Sequence, residues 1–250
     1  MKFILQIIII FTFSLNLFAR EKGETEITTE DGIEVFQNEK FYLLKKNVQI
    51  KSDNFTLNAD DVKIYFEKSL YDIKEIDAQG NVDFNSSEFK MSGSGEAFNF
   101  LVFNEKLKIE GLKSKLIAED IKMTSDGFIE VNNANGNFSV KGLNSKLVNE
   151  SIIIIAESID GKFSNNNEIS LLNVVDKKIS YVKNNEIEMY AKKINFDNKS
   201  SIIELIDKVT IIRNEEKITG DYGTLNTKNN SYKMKSNKQS KVKVIIQNNE

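Results

Sequence analysis

From Glu26 onward, the chain alternates apolar and polar residues in short runs and shows no long helical periodicity. The segments NVQIKSDNFTLNA (47–59) and NVDFNSSEFKMSG (81–93) place an apolar side chain at every second position over most of their length. This is the pattern of strands that bury one face. Clusters of Asn, Asp, Gly and Ser separate the runs, as turns do. The pattern predicts an all-β fold built from short antiparallel strands.

Two segments have the length of a short helix, residues 150–159 and 199–206. The first contains SIIIIAES (151–158), with four consecutive isoleucines. Because β-branched residues favour strands, we predict a buried strand there and keep a short helix as the alternative.

A unit of hairpin size recurs along the chain. Segments 47–60 and 81–94 align with apolar residues at matching positions, and a small residue closes each unit. Such units usually need neighbours to bury their apolar face, so we predict stacked hairpins with one core, chance similarity being the alternative. The aligned pairs are Val48 with Val82, Ile50 with Phe84, Phe55 with Phe89, Leu57 with Met91 and Ala59 with Gly93, and the same offsets recur at Val209, Ile211, Ile218 and Gly220.

The first 19 residues differ from the rest. They combine a basic Lys2, an apolar run and a small Ala19, which is the layout of a secretory signal peptide. We predict cleavage near Ala19, with residues 20–250 forming the mature, extracytoplasmic protein. The alternative is an uncleaved membrane anchor, although Gln6 and Asn16 are among the polar residues that interrupt the run.

The composition excludes several classes of function. The chain has no Cys, no His and a net charge of -3, and its only arginines are Arg20 and Arg213. Without His or Cys there is no Ser-His or Cys-His nucleophile and no thiolate metal site. The nearly balanced charge does not predict a surface for nucleic acid. We therefore predict no enzyme, no catalytic residues, no metal, no cofactor and no nucleic-acid partner.

Gly93-Ser94-Gly95 has the composition of a reactive loop but not its spacing. A nucleophile elbow needs Gly two positions before and two after the serine, where this chain has Ser92 and Glu96. We expect Ser94 to carry no chemistry.

The predicted inward face is rich in aromatic and aliphatic residues, and the chain contains 17 Phe. Such a face is either a closed core or an open trough for acyl chains. Each buried methylene contributes about 0.8 kcal/mol, so several acyl chains would bind with few polar contacts. Alternation alone does not separate the two readings. The candidate lipid-binding residues are Val48, Ile50, Phe55, Leu57, Val82, Phe84, Phe89, Met91 and Phe98.

The order of these pieces resembles the OstA-like domain of the LptA family of lipopolysaccharide transport proteins. Ile27 to Asp31 corresponds to the opening segment, and Lys46-Asn47-Val48 and Gly80-Asn81-Val82 to two strand starts. Asn58-Ala59-Asp60 corresponds to a strand end. Residues 27–111 match the pattern best and 208–246 resemble its closing strands. Residues 112–207 either extend the same sheets or form a second OstA-like unit.

The resemblance implies an OstA-like β-jellyroll, with two antiparallel sheets forming a V-shaped, open-ended trough. It implies a protein of the Gram-negative periplasm that bridges the two membranes and passes lipopolysaccharide to the outer one. The implied partners are lipopolysaccharide, held by its lipid A acyl chains, LptC-like and LptD-like jellyroll domains at the inner and outer membranes, and further copies joined end to end. Two alternatives are a membrane-anchored LptC-like component of the same system and a ligand-free secreted structural β-repeat protein.

Overall fold

The structure is a computed structural model that describes residues 22–68, 72–164, 168–237 and 241–246. All regular elements in these ranges are β-strands, and every pairing between them is antiparallel, which confirms the predicted all-β fold. The predicted signal peptide, residues 1–19, lies outside the described residues. Within the described ranges, no helix is long and apolar enough to cross a membrane.

Twenty strands follow one another in the described part of the chain. They are β1 (Glu26–Thr28), β2 (Ile33–Phe36), β3 (Phe41–Lys51), β4 (Phe55–Phe66), β5 (Ile73–Ser86), β6 (Met91–Leu101), β7 (Lys106–Glu110), β8 (Ser114–Ala118), β9 (Ile121–Ser125), β10 (Phe128–Asn132), β11 (Asn137–Lys141), β12 (Lys146–Val148), β13 (Ile152–Ile155), β14 (Ser158–Phe163), β15 (Ile169–Asn184), β16 (Ile187–Asp197), β17 (Ile202–Arg213), β18 (Glu216–Asn226), β19 (Ser231–Lys235) and β20 (Lys243–Ile246).

The strands form two layers that meet along one edge, which we call the crease. The long strands β3–β6 and β15–β18 cross the crease and contribute one half to each layer. In the middle of the chain the strands are shorter and do not cross the crease. Tight turns at the crease connect a strand of one layer to a strand of the other. The first layer runs in the order β2, β3, β4, β5, β6, β7, β10, β11, β14, β15, β16, β17, β18, β19. The second layer runs β1, β3, β4, β5, β6, β8, β9, β12, β13, β15, β16, β17, β18, β20.

Pairs of residues with positive φ produce several bends at the crease. Lys46 and Asn47 have φ of 66° and 52°, and Gly80 and Asn81 have φ of 73° and 47°. This left-handed region is unfavourable for most residues but is tolerated by Gly and Asn. Asn81 Nδ2 also donates to Asp60 Oδ2 at 2.9 Å, across to the neighbouring strand. The strand starts that carried the family resemblance are therefore the points where the chain changes layer.

Carboxylates accept the backbone N–H groups that the crease turns leave without a strand partner. Glu96 accepts from the Leu112 N–H at 3.2 Å, and Asp126 accepts from the Lys113 N–H at 3.0 Å. Asp126 also accepts from Asn144 Nδ2 at 2.5 Å. The hydrogen bonds from Asn144 and Lys113 hold the pKa of Asp126 below its ordinary value. Acidic residues after the strand pairs thus serve to close the crease.

The hairpin register corrects one part of the predicted repeat. Val48 pairs with Ala59 and Val209 with Gly220, but Val82 pairs with Gly95. The β5–β6 hairpin is one residue longer on each strand, so the alignment of Gly93 with Ala59 was wrong. Gly93 instead lies opposite Phe84.

Neither of the two segments with the length of a short helix is helical, and residues 199–201 of the second segment form a turn. Residues 152–155 form β13, and residues 202–206 begin β17. The buried strand predicted for SIIIIAES is confirmed at Ile154, which has no exposed surface. The side-chain preference of β-branched residues therefore decided the local structure.

Ser94 and its two glycine neighbours should respond very differently to alanine. A Cβ on Gly93 would lie 2.6 Å from Ile109 Cδ1 and 2.7 Å from the Lys115 carbonyl oxygen. Gly93→Ala is therefore expected to lower the free energy of unfolding by about 1–3 kcal/mol through overpacking. Ser94 alternates to the outer face, so Ser94→Ala should change it by less than about 0.5 kcal/mol. Chemical denaturation measures both values, and equal midpoints for the two variants would contradict the packing described here.

Candidate functional site

A cleft of about 740 Å³ opens at the mouth, the side of the two layers opposite the crease. Its second-layer wall consists of the hairpin turns at residues 88–91 and 118–121. Its first-layer wall consists of residues 131–136 and 162–164. A volume of this size falls in the range of roughly 300–1,000 Å³ that small-molecule sites occupy.

The floor of the mouth cleft is apolar. Met91 of the second layer and Phe163 of the first line it while partly exposed, and Ile121 and Val131 also line it although they are only 3% and 4% exposed. The Phe163 ring stacks on Phe138 with centroids 4.3 Å apart, which holds it in place. The floor can accept an aliphatic chain without leaving a polar group unpaired.

The rim of the cleft is polar. On the second layer, Lys90 Nζ lies 2.8 Å from Glu119 Oε1, and this hydrogen bond raises the pKa of Lys90. On the first layer, the rim is the turn between β10 and β11, with three asparagines in residues 132–135. A polar rim over an apolar floor fits an amphiphile, whose head stays near water while its chains are buried.

Gly136 allows the asparagine turn of the first-layer rim to lie close to the strand that carries Phe163. Its φ is 76°, and its carbonyl oxygen accepts from the Phe163 N–H at 2.9 Å. A Cβ at this position would lie 2.7 Å from the Phe163 carbonyl oxygen. Only Gly allows this close approach in this conformation, and it ties the asparagine turn to the strand that supplies Phe163.

Apolar lining continues along the mouth toward the C-terminal strands. Ile169 pairs with Phe163 and lines a second, smaller cavity of about 40 Å³. Both layers contribute to it, through Ile152 and Val182 on one side and Phe196 on the other. An apolar seam therefore extends beyond the mouth cleft.

The structure separates the nine candidate residues into two groups. Phe89 and Met91 line the mouth cleft, and Phe55 packs against the core while partly exposed. The Phe84 and Phe98 rings lie 4.9 Å apart in the closed interior. The fully enclosed group, each at most 5% exposed, is Val48, Ile50, Leu57, Val82, Phe84 and Phe98.

The candidate list lacked three floor residues that the structure places in the cleft: Ile121, Val131 and Phe163. Their hairpins are distant in sequence from Phe89, and they meet it only because the layers face each other. Val131 lies two positions after the buried Ile129, so alternation does mark it as inward. Alternation does not show which of the inward-facing residues lie close to the mouth.

Among the described residues, no group of three or more His, Cys, Asp or Glu side chains is arranged to hold a metal ion.

The two ends of the layers carry opposite charge. At the N-terminal edge, formed by β1 and β2, residues 22–36 contain five acidic residues and one lysine. At the C-terminal edge, formed by β19 and β20, residues 227–246 contain no acidic residue and several lysines. Both edges also expose apolar side chains, with Ile33 49% and Ile246 68% exposed. Edges of this kind can pair with another chain.

Part of the chain is similar to one family of known proteins. Residues 122–231 match the model of the family described as LptA/(LptD N-terminal domain) LPS transport protein. The matched range contains Val131 and Phe163 of the cleft floor, and it overlaps the stretch 112–207 where the sequence resemblance was weaker. No curated protein matches the chain.

Several solved structures are similar to this chain, and one of them is described here. It is LptH of Pseudomonas aeruginosa, described as the LptA homologous periplasmic component of the conserved lipopolysaccharide transport device. The likeness has a TM-score of 0.43 and 16% identity, and covers 51% of this chain and 95% of that one.

Proposed function

We propose that this chain, in which residues 122–231 match the model of the LptA/(LptD N-terminal domain) family of LPS transport proteins, binds lipopolysaccharide at the mouth of its two layers. It passes the lipid along the mouth as part of a periplasmic bridge from the inner to the outer membrane. The observation that carries this proposal is the mouth cleft, with its apolar floor of Met91, Ile121, Val131 and Phe163 beneath a polar rim.

The apolar seam gives the bound lipid a direction. Acyl chains held in the mouth cleft lie next to the second cavity through the Phe163–Ile169 pair. A chain can therefore slide toward the C-terminal strands while remaining in contact with apolar side chains. Since each buried methylene contributes about 0.8 kcal/mol, the mouth cleft retains an acyl chain without strong polar contacts.

The strand edges supply the contacts of the bridge. In each layer the first and last strands run in opposite directions, so the C-terminal edge of one copy continues antiparallel onto the N-terminal edge of the next. The same edges suit the jellyroll domains of LptC-like and LptD-like partners. A contact that joins head to tail without closing produces a filament, which is what a bridge requires.

Photo-crosslinking tests the lipid site. A photoreactive residue at Phe89 or Phe163 is expected to form an adduct with lipopolysaccharide, because both side chains line the mouth cleft. The matched control is the same residue at Ser94, which alternates to the outer face, and no adduct is expected there. Gel shift and mass spectrometry detect the products.

Absence of adducts at both cleft positions, in protein shown to be folded by circular dichroism, would overturn the proposal. That result would leave the ligand-free structural protein as the better reading. N-terminal sequencing of the protein from its native membrane distinguishes the bridge from the anchored LptC-like alternative, since a start at Arg20 excludes the anchor.

A further inference from the structure

A second groove, of about 510 Å³, lies on the outer face of the first layer, formed by β7, β10, β11 and β14. Along these strands Ile129, Val131 and Val140 are buried in the core. Their neighbours Glu130 and Ser139 therefore point to the opposite face, into the outer groove. The outer groove and the mouth cleft are on opposite sides of the same four-strand wall.

The charges of the outer groove are compensated within it. Lys106 Nζ lies 3.0 Å from Glu130 Oε2, and Lys141 Nζ lies 3.0 Å from Asp160 Oδ1. Two cations and two anions therefore occur as pairs rather than as a single-sign patch. Such a surface offers both donors and acceptors with little net charge, which suits a polyhydroxylated ligand better than a simple ion.

Asp160 is held ready to accept hydrogen bonds. Burial raises its pKa, but hydrogen bonds from Ser139, Lys141 and Ser158 outweigh that effect, so its pKa lies below the ordinary value. The Ser139 Oγ donates to Asp160 Oδ1 at 2.6 Å. The carboxylate is therefore ionised and fixed in position within the groove.

One turn separates the outer groove from the mouth cleft. Asn132 and Asn135 line both. Their side-chain oxygens accept backbone N–H groups of the same turn, Asn132 from Asn135 at 3.1 Å and Asn135 from Asn137 at 3.0 Å. The turn is thus a rigid polar ridge, with an apolar cleft inside it and a polar groove outside.

We infer that the outer groove binds the saccharide of the glycolipid whose acyl chains occupy the mouth cleft. The molecule crosses the asparagine ridge, with its chains on the inner side and its sugar hydroxyls against Glu130, Ser139 and Asp160 on the outer side. This inference rests on the proposed function, because it needs the acyl chains in the cleft.

Two glycolipids that differ in saccharide test the inference. Lipid A lacks the core saccharide, and rough lipopolysaccharide carries it. The wild-type protein is expected to bind rough lipopolysaccharide about tenfold more tightly than lipid A, a difference of about 1.4 kcal/mol. Ser139→Tyr fills the outer groove and should remove this preference while leaving the Kd for lipid A within about twofold. Isothermal titration calorimetry or microscale thermophoresis measures each Kd.

Thr224→Tyr is the matched control, because Thr224 lies between the inward Gly223 and Leu225 in the same layer but far from the groove. It should keep the preference. Asn137→Tyr, at an exposed position lining the groove, replaces Ser139→Tyr if that variant does not fold. If the wild type binds neither glycolipid, the proposed function fails. If it binds both equally, or if the filled variants keep the preference, only the saccharide groove fails.

Discussion

Replacing Phe84 with alanine is expected to lower the free energy of unfolding by about 3–5 kcal/mol, a large part of the stability of a typical domain. The Phe84 side chain is 1% exposed and packs against Phe98 at 4.9 Å between ring centroids. Its removal leaves a cavity that the surrounding strands cannot fill, because hydrogen bonds to both neighbours hold β5 in place. Urea denaturation of the purified variant measures the loss.

Phe89→Ala is the matched control, since it removes the same side chain from the same hairpin. Phe89 is only half-buried and lines the mouth cleft, so its loss should cost less than about half as much stability. Lipid binding should show the reverse order at a temperature where both variants are folded. Phe89→Ala should weaken lipopolysaccharide binding and Phe84→Ala should leave it nearly unchanged. Equal destabilisation by the two substitutions would contradict the division between enclosed core and cleft.

Phe84 and Phe89 show which structural features an alternating pattern can predict and which it cannot. Alternation placed Phe84 and Val82 on the inward face, and the structure confirms that placement. Alternation reports only the face of a strand, however, and the distance from the mouth depends on where each strand bends. That bend is set by residues such as Gly80 and Asn81, whose positive φ has no signature in hydrophobic periodicity.

The sequence pattern also could not predict which distant strands pair, and the reason is different. β7 and β8 are consecutive but belong to different layers, and β7 pairs instead with β10. The short turn at Gly111 takes the chain from one layer to the other, whereas the sequence pattern predicts a hairpin at this point. The cleft floor depends on this exchange, because it brings Ile121 and Val131 to face each other across the mouth.

Register explains the error in the repeat. The sequence alignment matched Gly93 to Ala59 by counting from the valine that begins each unit. In the structure the small residue opposite that valine is Gly95, and Gly93 makes room for Phe84 and Ile109. Two extra residues in a hairpin keep the same faces inward, so the apolar pattern alone could not detect them.

Reversing the charge of one strand edge is expected to abolish self-association. At the C-terminal edge, Lys241 and Lys243 are exposed beside β20, and at the N-terminal edge Glu24 and Glu26 are exposed beside β1. The double variant Lys241→Glu/Lys243→Glu places like charges at both edges of the contact, which repels the next copy. Analytical ultracentrifugation should show concentration-dependent oligomers for the wild type and only monomers for the variant. Because the charges are exposed, about 0.5 M NaCl should also weaken the wild-type assembly.

A charge swap separates this contact from nonspecific effects of the substitutions. Glu24→Lys/Glu26→Lys alone should also remain monomeric, because both of its edges are then basic. Mixing the two double variants pairs an acidic C-terminal edge with a basic N-terminal edge, so dimers that contain one of each should form. Each mixed dimer keeps one acidic N-terminal edge and one basic C-terminal edge, as the wild type has, so the dimers should join into longer assemblies in which the two variants alternate. Failure of the mixture to associate, with both variants folded, would show that the edges do not meet head to tail.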